Sequence, residues 1–311
     1  MTPLSFGELP QLQALQMSWR RFLKAQRVLV VVSETGFICC WRASSGDWRW
    51  RKGHWPADCC REGMPLQSEA MGELLADLLL DCDVIGAEIE LVLPLAACHW
   101  RVLEGVAANG NQEFEISHAF RHDLQWPLER EDTYVSLSSC GDCVLVVGVA
   151  RTLLRAWIDV LEFADLPLRR VEWVLSAALR GLKLFLPEGV GELAWLIQAS
   201  QNEPVRLLLM RSGVPDVDRR IRSDQPIADQ IRDTVRAWQS LVDGGNSLAW
   251  CCSLIDQSVL DGSVLFDTMP FEQVLQPQMT WVPSPWSPDL EQGELDPLVH
   301  LALAGVREVK L

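Results

Sequence analysis

Residues 144–182 read VLVVGVARTLLRAWIDVLEFADLPLRRVEWVLSAALRGL, and the order of elements in this stretch decides the fold class. Val144–Ala150 is an uninterrupted apolar run rich in valine, the composition of a buried strand. The next residues place Leu153, Leu154, Trp157, Ile158 and Leu161 at helical spacing, so one face of a helix is apolar. ADLPL (164–168) turns the chain, since proline cannot continue a helix. RRVEW (169–173) is then a short strand and VLSAALRGL (174–182) a second helix. A strand–helix–strand order predicts a right-handed crossover and a parallel pair, and therefore an α/β protein.

Toward the N-terminus the pattern is strand, turn, strand. RVLVVV (27–32) and FICCWR (37–42) flank the turn SETG (33–36), and ASSG (43–46) turns the chain into DWRWRKG (47–53). There Trp48 and Trp50 alternate with Arg49 and Arg51, as in a half-buried strand. Pro65 and Ser68 announce a helix with Met71, Leu74, Leu75, Leu78 and Leu79 on one face, and AEIELVLPL (87–95) is a further strand. Residues 96–142 are less regular: a strand in HWRVLEGVA, a turn at Asn109-Gly110 and a charged stretch EREDT (129–133) suggest an insert rich in loops. Residues 1–26 carry Leu12, Leu15, Trp19 and Leu23 at helical spacing and predict an amphipathic helix or arm.

Toward the C-terminus, WLIQASQNEPVRLLLM (195–210) sets two apolar runs around the polar turn ASQN and reads as a β-hairpin. A helix is expected over Ile227–Val242, with Ile231, Val235 and Trp238 on its inner face and Gly244-Gly245 ending it. NSLAWCCSLI (246–255) is a strand. Residues 276–297 are rich in proline, with Trp281 and Trp286 as candidate anchors for a partner, and PLVHLALAGVREV (297–309) closes the chain as a helix.

The chain has 311 residues, 49% of them hydrophobic, and a formal charge of −15. Such a surface repels phosphate backbones and anionic lipid, so nucleic acid and direct membrane insertion are not expected, whereas a basic partner segment suits it. The longest apolar stretch falls short of the ~20 residues of a membrane helix, and the expected location is the cytoplasm. Ten cysteines occur as three adjacent pairs (Cys39-Cys40, Cys59-Cys60, Cys251-Cys252), one CxxC (Cys140, Cys143) and single Cys82 and Cys98. Strand neighbours point to opposite faces, so adjacent pairs make poor chelates, and buried reduced thiols are expected. Gly141-Asp142 reads as a turn between YVSLSS and VLVVGV. His118 and His122 stand four apart without a third ligand at matching spacing, and Glu188 and Glu192 flank Gly189-Val190-Gly191; a solvated or capping role is expected for the histidines, and the glutamates are weak evidence for a phosphate site.

This order of elements, with the 144–182 unit, the strand AEIELVLPLAACHWRVLEG (87–105) and the closing LVHLALAGVRE (298–308), resembles the PilM-like branch of the actin-like ATPase superfamily, relatives of the division protein FtsA. The resemblance covers roughly residues 27–308. It implies an actin-like (ribonuclease H-like) α/β fold of duplicated half-domains. The first would span 27–168 with an insert at about 96–142, and the second 169–311, with its last helix (297–308) packing back on the first half.

Active members carry Asp-x-Gly and small hydroxyl residues in each hairpin, where backbone amides cradle phosphates and the acid positions Mg²⁺. Here the first turn is Ser33, Glu34, Thr35, Gly36, with serine at the aspartate's place. The second aligns with Ala199, Ser200, Gln201 and Asn202, and the Gly-Gly that contacts adenosine falls near Cys252 and Ser253. We therefore expect no catalytic residues, no cofactor, ATP included, and no metal. The resemblance implies a non-catalytic scaffold of type IV pilus machinery. It would bind the short cytoplasmic tail of an inner-membrane PilN-like protein in a groove beside the insert, and connect to motor components. The alternatives are an actin-fold ATPase or kinase with unorthodox loops, and a GspL-like type II secretion component, which would carry a membrane helix.

Overall fold

Two five-stranded sheets with the same strand order form the framework of the computed structural model, which describes residues 26–43, 45–104, 127–140, 143–183, 192–197, 205–211, 213–222, 224–240, 248–253, 271–275 and 297–308. The first sheet contains β1 (Gln26–Val32), β2 (Gly36–Arg42), β3 (Trp48–His54), β6 (Ala87–Leu93) and β10 (Leu168–Trp173). Its order is β10-β6-β1-β2-β3, with β1, β2 and β3 antiparallel and β6 parallel to both β1 and β10. The second contains β11 (Glu192–Ile197), β12 (Arg206–Arg211), β13 (Val214–Arg220), β14 (Leu248–Ser253) and β15 (Phe271–Leu275), ordered β13-β12-β11-β14-β15 with the same orientations. This repeat is the duplicated actin-like α/β architecture that the resemblance implies. Between β3 and the first helix two short strands pair, β4 (Cys60–Arg61) and β5 (Met64–Pro65).

Helices α1 (Ser68–Asp81), α2 (Arg151–Phe163), α3 (Val174–Lys183), α4 (Ile227–Ser240) and α5 (Pro297–Glu308) clothe the sheets. Coverage of both faces explains why β1 and β2 are nearly continuous apolar runs: Val28, Val30, Cys39 and Cys40 are each 0% exposed. On α1 the buried residues are Met71, Gly72, Leu75 and Leu79, and on α2 they are Leu153, Trp157, Val160 and Leu161, so the expected stripes face the core. Asp165, at φ 52°, ends α2, and the Leu166 N–H returns to the Leu161 carbonyl at 2.9 Å. One contiguous core runs from β1 through α5 to Trp195, Ile197, Leu208 and Met210 of the second sheet. Helix α5 crosses α3 at Gly181 and Gly305, where the backbones meet so closely that a Cβ on either would strike the other helix's carbonyl.

One expectation is corrected. The 144–182 stretch does not form a parallel strand pair. Its first strand, β9 (Cys143–Ala150), lies between β7 (Cys98–Glu104) and β8 (Thr133–Cys140) in a separate antiparallel sheet ordered β7-β9-β8, while β10 pairs with β6. The backbone edges of β9 are taken by β7 on one side and β8 on the other, so α2 carries the chain from the small sheet to the large one. Pairing of Cys140 with Cys143 agrees with the tight connection expected at Gly141-Asp142. Strand β13 was not anticipated: Pro215 and four charged residues disguise it, yet proline is tolerated on an edge strand. The arm expected at 1–26, the Asn109-Gly110 turn and the excursion at 276–297 lie outside the described residues, apart from Gln26 and Pro297.

Candidate functional site

The first hairpin turn joins β1 to β2, and several of its polar groups bond within the turn or to neighbouring elements. Ser33 N–H donates to the Gly36 carbonyl at 2.8 Å, and Gly36 N–H donates to Ser33 Oγ at 3.2 Å. The Trp55 indole N–H donates to the Ser33 carbonyl at 3.0 Å, and the Trp55 backbone N–H donates to the Thr35 carbonyl at 3.0 Å. Glu34 turns its Oε1 away to accept the Gly63 N–H at 3.2 Å, while the Gly63 carbonyl accepts the Trp157 indole N–H at 2.8 Å. Phe37 stacks on Trp55 with ring centroids 4.2 Å apart, fixing the base of the turn. These contacts make the turn a clasp between β2, the β4–β5 loop and α2. A phosphate cradle needs inward-facing amides, and the Ser33 and Gly36 amides are already committed.

A cavity of about 200 Å³ lies beside this turn, bordered by Ser33, Glu34, Thr35, Lys52, Val174 and Leu298 among others. That is below the roughly 300–1,000 Å³ usual for small-molecule pockets. Among its described lining residues the ionisable side chains are Glu34 and Lys52. Glu34 also contributes to the environment of Cys60, whose thiol is pushed up to about 12 by burial first, then by Glu34 and Cys59.

The second hairpin is formed by β11 and β12, with Ile197 opposite Arg206 as its last pair. Ala199, Ser200, Gln201 and Asn202 lie outside the described residues, as do Trp281, Trp286, His118, His122 and Glu188. The structure places Cys252 and Ser253 at the end of β14, where Ser253 aligns with Leu196 of β11. Ligands of open α/β sheets bind at such strand ends. Cys39, Cys40, Cys59 and Cys98 are buried and Cys60, Cys82 and Cys143 half-buried, all seven as free thiols. Burial raises Cys39 and Cys40 well above the ordinary thiol value and Cys98 to about 12. Among the described residues no group of three or more His, Cys, Asp and Glu side chains is arranged to hold a metal.

A second region, not anticipated residue by residue, lies at the small sheet. Register puts Trp100 opposite Val147, Val102 opposite Leu145 and Cys98 opposite Val149, so these six share one face. Val102, Leu145, Val147 and Val149 are half-buried and extend the main core toward the surface as an apolar strip. The strip continues to β8, where Tyr134 is 49% exposed and lies under the Arg151 guanidinium, 4.7 Å from the ring centroid. At the other border, the Trp100 indole N–H donates to Asp218 Oδ2 at 2.7 Å. Asp218 Oδ1 accepts Arg206 Nε at 2.6 Å, and Arg206 Nη2 bonds the other oxygen. Arg206 also lies 5.7 Å from the Trp173 ring. His99 is pushed below its ordinary value by burial first, then by Arg220, Arg101 and Arg206. Trp100 and Asp218 are 118 positions apart, and no sequence pattern announces their contact.

No protein-family model matches the sequence, and comparison with curated proteins yields no match. Solved structures do match. A chain of a structure described as a PilM-PilN type IV pilus biogenesis complex superposes with a TM-score of 0.69 at 14% identity, over 92% of this chain and 99% of that one. The cytoplasmic domain of EpsL, described as an inner membrane component of the type II secretion system of Vibrio cholerae, has a TM-score of 0.49 at 14% identity, over 92% and 97%. A Bacteroides thetaiotaomicron protein described as having an actin-like ATPase fold and unknown function has a TM-score of 0.48 at 11% identity, over 81% and 91%. The likeness to the PilM-PilN structure runs almost end to end and shows a shared fold, whose two sheets of equal strand order are the actin-like architecture described above. No helix of the described residues is long and apolar enough to cross a membrane.

Proposed function

We propose that this chain is a non-catalytic actin-fold scaffold of a type IV pilus assembly machine, which holds the cytoplasmic tail of a PilN-like inner-membrane protein. The observation that carries the reading is the first hairpin turn. Ser33 stands where an acid would hold Mg²⁺, the Ser33 and Gly36 amides bond within the turn, and Glu34 is tied to Gly63. A turn engaged in this way supports the sheet and the neighbouring loop without gripping a triphosphate.

The tail's seat is the apolar strip of Val102, Leu145, Val147 and Val149, between the small sheet and the first half. An extended segment lying there gains affinity from side-chain pockets, and the outer edge of β8 offers main-chain groups to it. The net charge of −15 favours a basic tail through long-range attraction. Likeness to a structure described as a PilM-PilN complex supports this choice of partner. The protein would then sit at the cytoplasmic face of the inner membrane through that partner, coupling it to motor components.

The test is calorimetric titration of the full chain with a synthetic peptide of a PilN-like cytoplasmic tail from the same organism. Wild type should bind, and Val147→Asp should weaken binding at least about tenfold, a loss of ~1.4 kcal/mol. Absence of binding to wild type, or equal binding to the variant, refutes the reading.

A further inference from the structure

Trp100 belongs to two structures at once. Its ring shares the face of the apolar strip, directly opposite Val147, while its indole N–H reaches Asp218 on β13 of the second sheet, at 2.7 Å. Asp218 in turn holds Arg206 through both carboxylate oxygens. Arg206 is 9% exposed and has a second neighbour in Trp173 at the end of β10. Arg206 also faces Ile197, the last residue of β11, and so stands at the mouth of the second hairpin. One carboxylate and one guanidinium thereby connect the small sheet, the first sheet and the second hairpin.

We propose that the Trp100–Asp218–Arg206 junction reports occupancy of the strip to the second hairpin: a tail seated against Val102 and Val147 tightens the junction and steadies β12 and β13. This deepens the scaffold reading and rests on it. Trp100 is already only 7% exposed, so a peptide covering the half-buried Val102 and Val147 closes the last access of water to the ring, and a hydrogen bond to a carboxylate strengthens as local water is excluded. Arg206 is withdrawn from water while Asp218 is not, and a guanidinium so placed is held favourably only with good geometry and with the hydrogen bonds of its partner carboxylate satisfied. The Trp100 donor is one of those bonds, so its loss loosens the hold of Asp218 on Arg206. By linkage, whatever the tail does for the junction, the junction does for tail affinity.

Amide hydrogen exchange on the full chain, with and without the synthetic tail peptide, tests this. In wild type the peptide should slow exchange in 98–104 and 143–150 by contact, and in 206–211 and 214–220 at a distance, there by about fivefold or more, the lower end of usual couplings. In Trp100→Phe, which keeps an aromatic ring and removes the N–H, slowing should remain in 98–104 and 143–150 and vanish in 206–220. Protection of the small sheet in wild type with unchanged exchange in 206–220 overturns the inference and leaves the scaffold reading standing. Retention of the distant effect in Trp100→Phe overturns it as well. The peptide-free protein supplies a separate check: Trp100→Phe must speed exchange in 206–211, and an unchanged rate there refutes the junction's role. A peptide that fails to bind wild type brings down the scaffold reading itself.

Discussion

Substituting Gly305 by alanine gives the clearest energetic test of the fold, because two effects of opposite sign compete. In an exposed helix interior, glycine to alanine stabilises by about 1 kcal/mol. At Gly305 the new carbon would lie 2.9 Å from the Ala177 carbonyl carbon and 2.7 Å from the Gly181 nitrogen, and closer still to the Ala177 oxygen. Carbon–carbon contacts are optimal at about 3.5–4.0 Å, so α3 and α5 must part by roughly an ångström. That movement loosens a helix whose Leu298, Leu301, Ala302, Leu303 and Val306 are all within 3% of complete burial. Overpacking of this kind typically costs about 1–3 kcal/mol. Backbone atoms on both sides leave no flexible side chain to yield, so we expect the upper part of that range and a net loss of ~1–2 kcal/mol. Urea denaturation followed by circular dichroism measures it. A Gly305→Ala protein as stable as wild type, or more so, refutes the close crossing of α3 and α5.

Three further expectations follow from the geometry. His99 has its proton affinity lowered mainly by burial and then by Arg220, Arg101 and Arg206, so the unfolded chain takes up the proton first as pH falls. Its contribution is complete above ~6.5 and drains as pH drops through the lower folded value, hence His99→Gln should flatten the melting curve's acid slope between about pH 7 and pH 5; an unchanged slope contradicts the burial. Cys39, Cys40 and Cys98 should resist a disulfide reagent at about pH 8 in the native protein and react on unfolding, since the thiolate is the nucleophile; rapid native labelling of any of them disproves their placement. Glu34→Ala strips the buried Gly63 N–H of its acceptor and should cost about 1–3 kcal/mol, with Glu34→Gln recovering most of it; equal stability of the alanine variant and wild type counts against the clasp.

Much of the framework was legible because its strands and helices carry strong local periodicity. RVLVVV and FICCWR around SETG, the Met71–Leu79 stripe and the hairpin around ASQN all stand where their patterns put them, though β11 begins at Glu192. The misplaced element, β9, shows what periodicity omits: an apolar strand declares that it is buried, yet not which neighbour it pairs with. Strands β13 and β15 escaped for the opposite reason, since VPDVDRR and FEQVL carry few apolar residues at period two. The expectation that the first hairpin holds no nucleotide rests on Ser33, because chemistry at a turn depends on residue type. The Trp100–Asp218–Arg206 junction could not, because it joins residues far apart in the chain whose types are ordinary at each position.

Melting the full chain in millimolar Mg-ATP tests the central claim most directly. The clasped turn at Ser33–Gly36 predicts a midpoint unchanged from that in Mg²⁺ alone. A nucleotide at about a hundred times its Kd would add ~2.7 kcal/mol to stability, and a rise of that size would contradict the account.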